Sequence, residues 1–214
     1  MSKYYIVYFV IILLGVIVGI FNFLKLNKSN KIFLSLLFMT LLSELMALNI
    51  DKFNLPSNYI VYHIFNPIQY IIVAWAYYQE FRKKLILISM PIMVIWSLIL
   101  SVFIQPITEF NSYYISFELL IFTAFSVYYF LLLLRIETDN KLKDYPLFWI
   151  SCGWLLFSVA NLFVFGTYNS FFKENSYIER VFAYIRVFSN YILYSLFIVA
   201  FLVKQHTLLG DERK

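Results

Sequence analysis

Apolar residues run along the chain in seven stretches, 3–24, 32–50, 59–79, 85–104, 113–134, 147–166 and 180–203, separated by short polar segments. Each holds about 20 residues, enough for a helix rising ~1.5 Å per residue to cross ~30 Å of hydrocarbon. The pattern predicts an all-α membrane protein, a seven-transmembrane-helix bundle forming a single polytopic domain over residues 1–214. The first stretch has Lys3 before it and no small-x-small cleavage site after it. Its apolar run is too long for a signal-peptide core, so it is expected to stay as a helix.

Polar residues interrupt five of the stretches at one shared depth. They are Glu44, His63 with Asn66, Glu118, Asn161, and Arg186. Counted from the helix ends, Glu44, Glu118 and Arg186 lie about 9 Å in at ~1.5 Å per residue. Helical spacing gathers them into stripes: Thr40, Glu44, Ala47; Tyr59, His63, Asn66, Tyr70; Ser151, Trp154, Ser158, Asn161; Arg186, Asn190, Tyr194. Such stripes turn toward a bundle interior, because facing lipid would leave their polar groups unsatisfied. Helix four carries none of these groups and helix one offers only Tyr8, so both are expected to face lipid more than the rest.

Ionisable residues inside a membrane mark functional sites by default. Glu44, His63, Asn66, Glu118, Asn161, Arg186 and Asn190 are therefore the candidate ligand-binding residues, with Tyr59, Tyr62, Tyr114 and Trp154 as apolar walls. Two glutamates face one arginine. The surplus carboxylate must be protonated, paired to a cationic His63, or neutralised by a ligand. Arg186 is expected within salt-bridge reach of Glu44 or Glu118. The bland alternative is an ion pair with asparagine and serine glue between helices, and His63 taken singly reads as a packing histidine.

Lysine and arginine placement sets the expected orientation. Lys25, Lys28, Lys31, Arg82, Lys83, Lys84, Arg135, Lys141, Lys143, Lys204, Arg213 and Lys214 border one side, twelve of the seventeen basic residues. Lys3, Lys52, Lys173 and Arg180 border the other. The positive-inside rule puts the N-terminus outside and the C-terminus in the cytoplasm. This bias accounts for the net charge of +5. No basic face remains for nucleic acid. Hydrophobic residues at 62% against 14% charged residues exclude an ordinary soluble domain. Tyrosine and phenylalanine at the helix ends suit an interfacial belt. Phe171 and Phe172, in the longest loop on the outer side, are placed to meet headgroups or to cover a cavity.

Several chemistries lack their residues. Helix seven has lysine only at its inner end, at Lys204, so no retinal Schiff base is expected. One histidine within the spans is too few for a zinc hydrolase, and neither metal nor cofactor is expected. No Gly-x-Ser-x-Gly elbow, Walker motif or adjacent Pro-Gln pair is present. The lone Cys152 excludes an intrachain disulfide. Gly15-x-x-x-Gly19 is a small-residue packing motif for a neighbouring helix or a homodimer.

Pro146-Leu-Phe-Trp-Ile-Ser-Cys-Gly and the run Asn190-Tyr-Ile-Leu-Tyr-Ser-Leu-Phe-Ile-Val-Ala-Phe-Leu202 resemble small seven-helix bacterial integral membrane proteins of unassigned function. The resemblance implies a multi-pass protein of the inner (plasma) membrane and transfers no site residue. The sequence leaves three roles open. One is a receptor-like sensory or signalling module with an outward pocket for a small ligand and a separate cytoplasmic partner. The others are a membrane accessory or pore-forming subunit acting by assembly, and a small proton-coupled transporter. Apolar inner-half segments such as Leu34–Met39 and Leu131–Leu134 count against a transport path.

Overall fold

The computed structural model describes residues 3–135, 141–167 and 176–208, with side chains from 180 onward in the last stretch. Phe171, Phe172 and Lys173 lie outside the described residues, as do Arg213 and Lys214. Seven α-helices follow one another among the described residues: α1 Lys3–Phe21, α2 Lys28–Leu48, α3 Tyr59–Phe81, α4 Lys84–Phe103, α5 Ser112–Leu133, α6 Pro146–Gly166 and α7 Ser176–Leu202. Two short 3-10 turns, Ile50–Phe53 and Leu142–Asp144, sit in the connections. No strand occurs among the described residues.

Local chemistry explains the boundaries. α2 opens earlier than its apolar run because Asn27 caps it, its side chain accepting the Asn30 N–H at 2.8 Å. Pro146 opens α6 at the position where its missing N–H costs nothing. α3 and α4 both continue through an internal proline, Pro67 and Pro91.

Among the described residues six helices are long and apolar enough to cross a membrane: α1, α2, α4, α5, α6 and the Arg180–Leu202 part of α7. α3 falls short because His63, Asn66, Gln69, Gln79 and Glu80 interrupt its apolar run. Four of these five are buried inside the bundle, and Gln69 is half-buried. An amphipathic-looking sequence is what a central helix with a polar interior face should have.

The helices close into a ring. α1 packs on α2 and α7, α2 on α3, α5 on α6, and α6 on α7, with α3 meeting α5 to complete the circuit. α4 leans on α3 from outside and meets α5 as lightly as α3 does. It is the least buried span, which agrees with its lack of embedded polar residues. α1 is also among the less buried spans, and it contributes Tyr8 to the interior.

Gly15 and Gly19 are used within the chain. A Cβ on Gly15 would stand 3.0 Å from Leu37 Cδ1, and one on Gly19 only 2.4 Å from Leu34 Cδ1. The glycines let α1 approach α2 closely, so the small-residue face serves this internal contact.

The end of the bundle carrying the basic loops is stitched by side chains the sequence reading passed over. Glu80 accepts from Ser29 Oγ at 3.1 Å and from the Leu208 N–H at 3.1 Å. Gln205 Oε1 accepts from Asn30 Nδ2 at 2.7 Å and from the Asn27 N–H at 3.2 Å. Lys204 pairs with Asp144 at 3.6 Å. The segment after α7 is thereby tied to α2, α3 and the start of α6.

Candidate functional site

At the opposite end, six helices enclose a cavity of about 330 Å³. α1 supplies Tyr5 and Tyr8, α2 Thr40 and Glu44, α5 Glu118 and Leu119, and α6 Trp154 and Phe157. α3 contributes Tyr59, Tyr62, Asn66 and Gln69, and α7 Arg186, Asn190 and Tyr194. α4 contributes nothing to the lining. Phe65, Phe110, Phe165 and Phe182 fill much of the remaining wall.

Five of the seven candidate residues therefore share one cavity: Glu44, Asn66, Glu118, Arg186 and Asn190. Glu44 is held from two sides. Tyr8 donates to its Oε1 at 3.1 Å and Tyr62 to its Oε2 at 3.3 Å. The Arg186 guanidinium is near enough to act electrostatically on Glu44 and Tyr62. It forms no ion pair with either carboxylate, since Lys204–Asp144 is the one pair within 4.0 Å among the described residues. That corrects the expected salt bridge. Tyr8 and Tyr62 already satisfy Glu44 through neutral donors, so its carboxylate does not depend on the guanidinium for hydrogen bonds.

Glu118 stands apart. It is 1% exposed, and its Oε1 has no hydrogen-bond partner. The Trp154 indole N–H, also lining the cavity and 2% exposed, has none either. One is an acceptor without a donor and the other a donor without an acceptor. Leaving such groups unmatched costs roughly 1–3 kcal/mol each, so something that enters the cavity has much to gain there.

Two candidates lie outside the lining. His63 reaches away from the cavity, with Nδ1 2.8 Å from Ser101 Oγ of α4 and Nε2 2.9 Å from the Glu109 carbonyl. It pins α3 to α4 and to the α4–α5 turn. Asn161 donates to Phe157 O and to Ser189 Oγ, both at 2.7 Å, and joins α6 to α7. Tyr114, expected as a wall, is buried beside the site with its hydroxyl unmatched. Asn66 bonds Asn111 Oδ1 at 3.2 Å and Asn190 donates back to the Arg186 carbonyl at 2.9 Å. Helical spacing alone could not separate these cases, because a stripe fixes a face to within a residue or so and neighbouring positions open onto different partners.

Beneath the cavity the bundle is filled. Trp154 meets Phe122 at 4.6 Å and Phe197 at 6.2 Å between ring centroids, and Phe197 meets Phe33 at 5.3 Å. Phe122, Phe197 and Phe33 are fully buried and none lines the cavity. Below that layer the Tyr77 hydroxyl lies 3.2 Å from Ser126 Oγ and 2.9 Å from Ser151 Oγ. The inner half is thus not purely apolar, as the leucine runs suggested.

No family model, characterised protein or solved structure matches the chain. The site is read from its own geometry.

Proposed function

We propose that the chain is a seven-span protein of a bacterial inner (plasma) membrane, with its N-terminus outside and its C-terminus in the cytoplasm. In this reading a small ligand enters the cavity from the outer side, and the bundle signals through its cytoplasmic end to a separate partner. The observation that carries it is the unmatched pair, Glu118 Oε1 and Trp154 Nε1, at the wall of a cavity that stops at an aromatic layer. A blind polar pocket suits recognition better than passage. α7 supports coupling, since Arg186 lines the cavity and the segment that follows the helix carries Gln205 and Leu208 to the other end.

A second reading has one observation in its favour. The Tyr77, Ser126 and Ser151 hydroxyls and the Glu80 carboxylate place polar groups on the far side of the aromatic layer. A proton-coupled carrier would use such groups, with opening of the layer as the gating step.

The test pairs abundance with response in the source cell. The E44Q and E118Q variants should reach wild-type amounts in the membrane while the transcript profile shifts to that of a strain lacking the protein. Variants that restore the wild-type profile in full would remove the binding reading and leave a role by assembly.

A further inference from the structure

The cavity contains two carboxylates and one guanidinium, and they are not evenly distributed. Arg186 is near enough to act electrostatically on Glu44, and the tyrosine hydroxyls of Tyr8 and Tyr62 complete the shell of Glu44. Glu118 has no cation beside it among the described residues. It is the carboxyl group of the site that lacks a charged neighbour.

Its surroundings are aromatic. Tyr114 and Phe122 lie one turn to either side of it on α5. Trp154 of α6 packs on Phe122 at 4.6 Å, and Tyr70 of α3 stacks on Phe122 at 5.9 Å with the rings 9° from parallel. Tyr70, Tyr114, Phe122 and Trp154 are all at most 2% exposed. Ring faces carry negative quadrupole density and attract cations, all the more where water is excluded. A carboxyl group that shares the cavity wall with the Trp154 ring is therefore matched to an ammonium group, which supplies a cation for the ring and the missing donor for Oε1. A hydrated metal ion fits poorly, because the described residues hold no cluster of three His, Cys, Asp or Glu ligands.

Resting on the binding reading above, we infer that Glu118 and Trp154, which both line the cavity, form a subsite for the ammonium group of a small organic amine with an apolar body. The volume of about 330 Å³ is at the small end of ligand pockets, so the amine is of aralkyl size. Phe65, Phe110, Phe157 and Phe165 along the wall receive the apolar part.

Three probes of one shape separate the possibilities: 2-phenylethylammonium, its neutral isostere 2-phenylethanol, and the anion phenylacetate. Each is titrated calorimetrically into the full chain in lipid nanodiscs, with empty nanodiscs subtracted to remove partitioning into lipid. The ammonium should bind about tenfold or more tighter than the alcohol, the scale of one charge-assisted contact. In E118Q the alcohol should bind as in the wild type and the ammonium advantage should shrink to about twofold or less. Trp154→Leu should reduce the ammonium advantage severalfold by removing one aromatic face. Equal binding of ammonium and alcohol, or tightest binding of phenylacetate, overturns the amine subsite and leaves a ligand cavity standing. Failure of all three to bind removes the cavity reading as well. Should E118Q not fold, the wild-type rank order decides the matter by itself.

Discussion

The Glu80 carboxylate of α3 accepts the backbone N–H of Leu208 at 3.1 Å, joining residues 128 positions apart at the end of the bundle away from the cavity. The same carboxylate takes the Ser29 hydroxyl, and both contacts are buried. Replacing Glu80 by alanine should release the segment after α7 and cost about 1–3 kcal/mol, the usual scale for an orphaned buried hydrogen bond. Amide exchange at Leu208 should rise while exchange within α5 stays as before. Unchanged protection at Leu208 would show that Lys204 and Gln205 hold the segment without Glu80.

Gly19 and Leu34 give a second test. A methyl group on Gly19 forces Leu34 aside, whereas one on Gly15 needs only a slight shift of Leu37. Gly19→Ala should lower stability by about 1–3 kcal/mol and Gly15→Ala by less. Adding Leu34→Ala to Gly19→Ala should recover part of the loss, which a double-mutant cycle of melting temperatures in detergent would detect. A change in oligomeric state with no change in melting would instead assign the glycines to an intermolecular contact.

Glu44 and Arg186 are neighbours without an ion pair. Breaking a tight buried pair costs about 3–5 kcal/mol. The coupling energy between Glu44→Gln and Arg186→Leu should be under about 1 kcal/mol, as for loosely associated charges. Chemical or thermal unfolding of the two single variants and the double variant measures it. A coupling of several kcal/mol would mean that the two side chains close into contact in the membrane.

His63 should matter for stability and not for the cavity. His63→Leu strands Ser101 Oγ and the Glu109 carbonyl, at about 1–3 kcal/mol. Binding of 2-phenylethylammonium should remain within about twofold of wild type. A large loss of binding at preserved stability would return His63 to the site.

The orientation proposed from basic residues is checked with a reporter fused after Lys214. It should behave as cytoplasmic, since Lys25, Lys28, Lys31 and Arg82–Lys84 flank the same end of the bundle. An external reporter would turn the cavity toward the cytoplasm.

The helices were legible because lipid-length apolar runs and their caps are local properties. Seven runs separated by polar turns, Asn27 before α2 and Pro146 at the head of α6 determine where helices begin without reference to any neighbour. The level of the candidate site was legible too, since Glu44, Glu118 and Arg186 sit at similar distances from their helix ends. What spacing could not decide was partnership. His63 and Asn66 share a stripe of α3, yet one turns to α4 and the other to the cavity, because a rotation of less than one residue changes which neighbour a side chain meets. Glu80 precedes Arg82, Lys83 and Lys84 and looks like an ordinary interfacial acid. Only the return of residues 203–208 beneath the bundle buries it. Glu118 reads like Glu44 in sequence, and the ring order of the helices separates them. It brings Tyr8 and Tyr62 to one carboxylate and leaves the other among aromatic rings, since contacts between distant helices depend on the whole packing and not on any single segment.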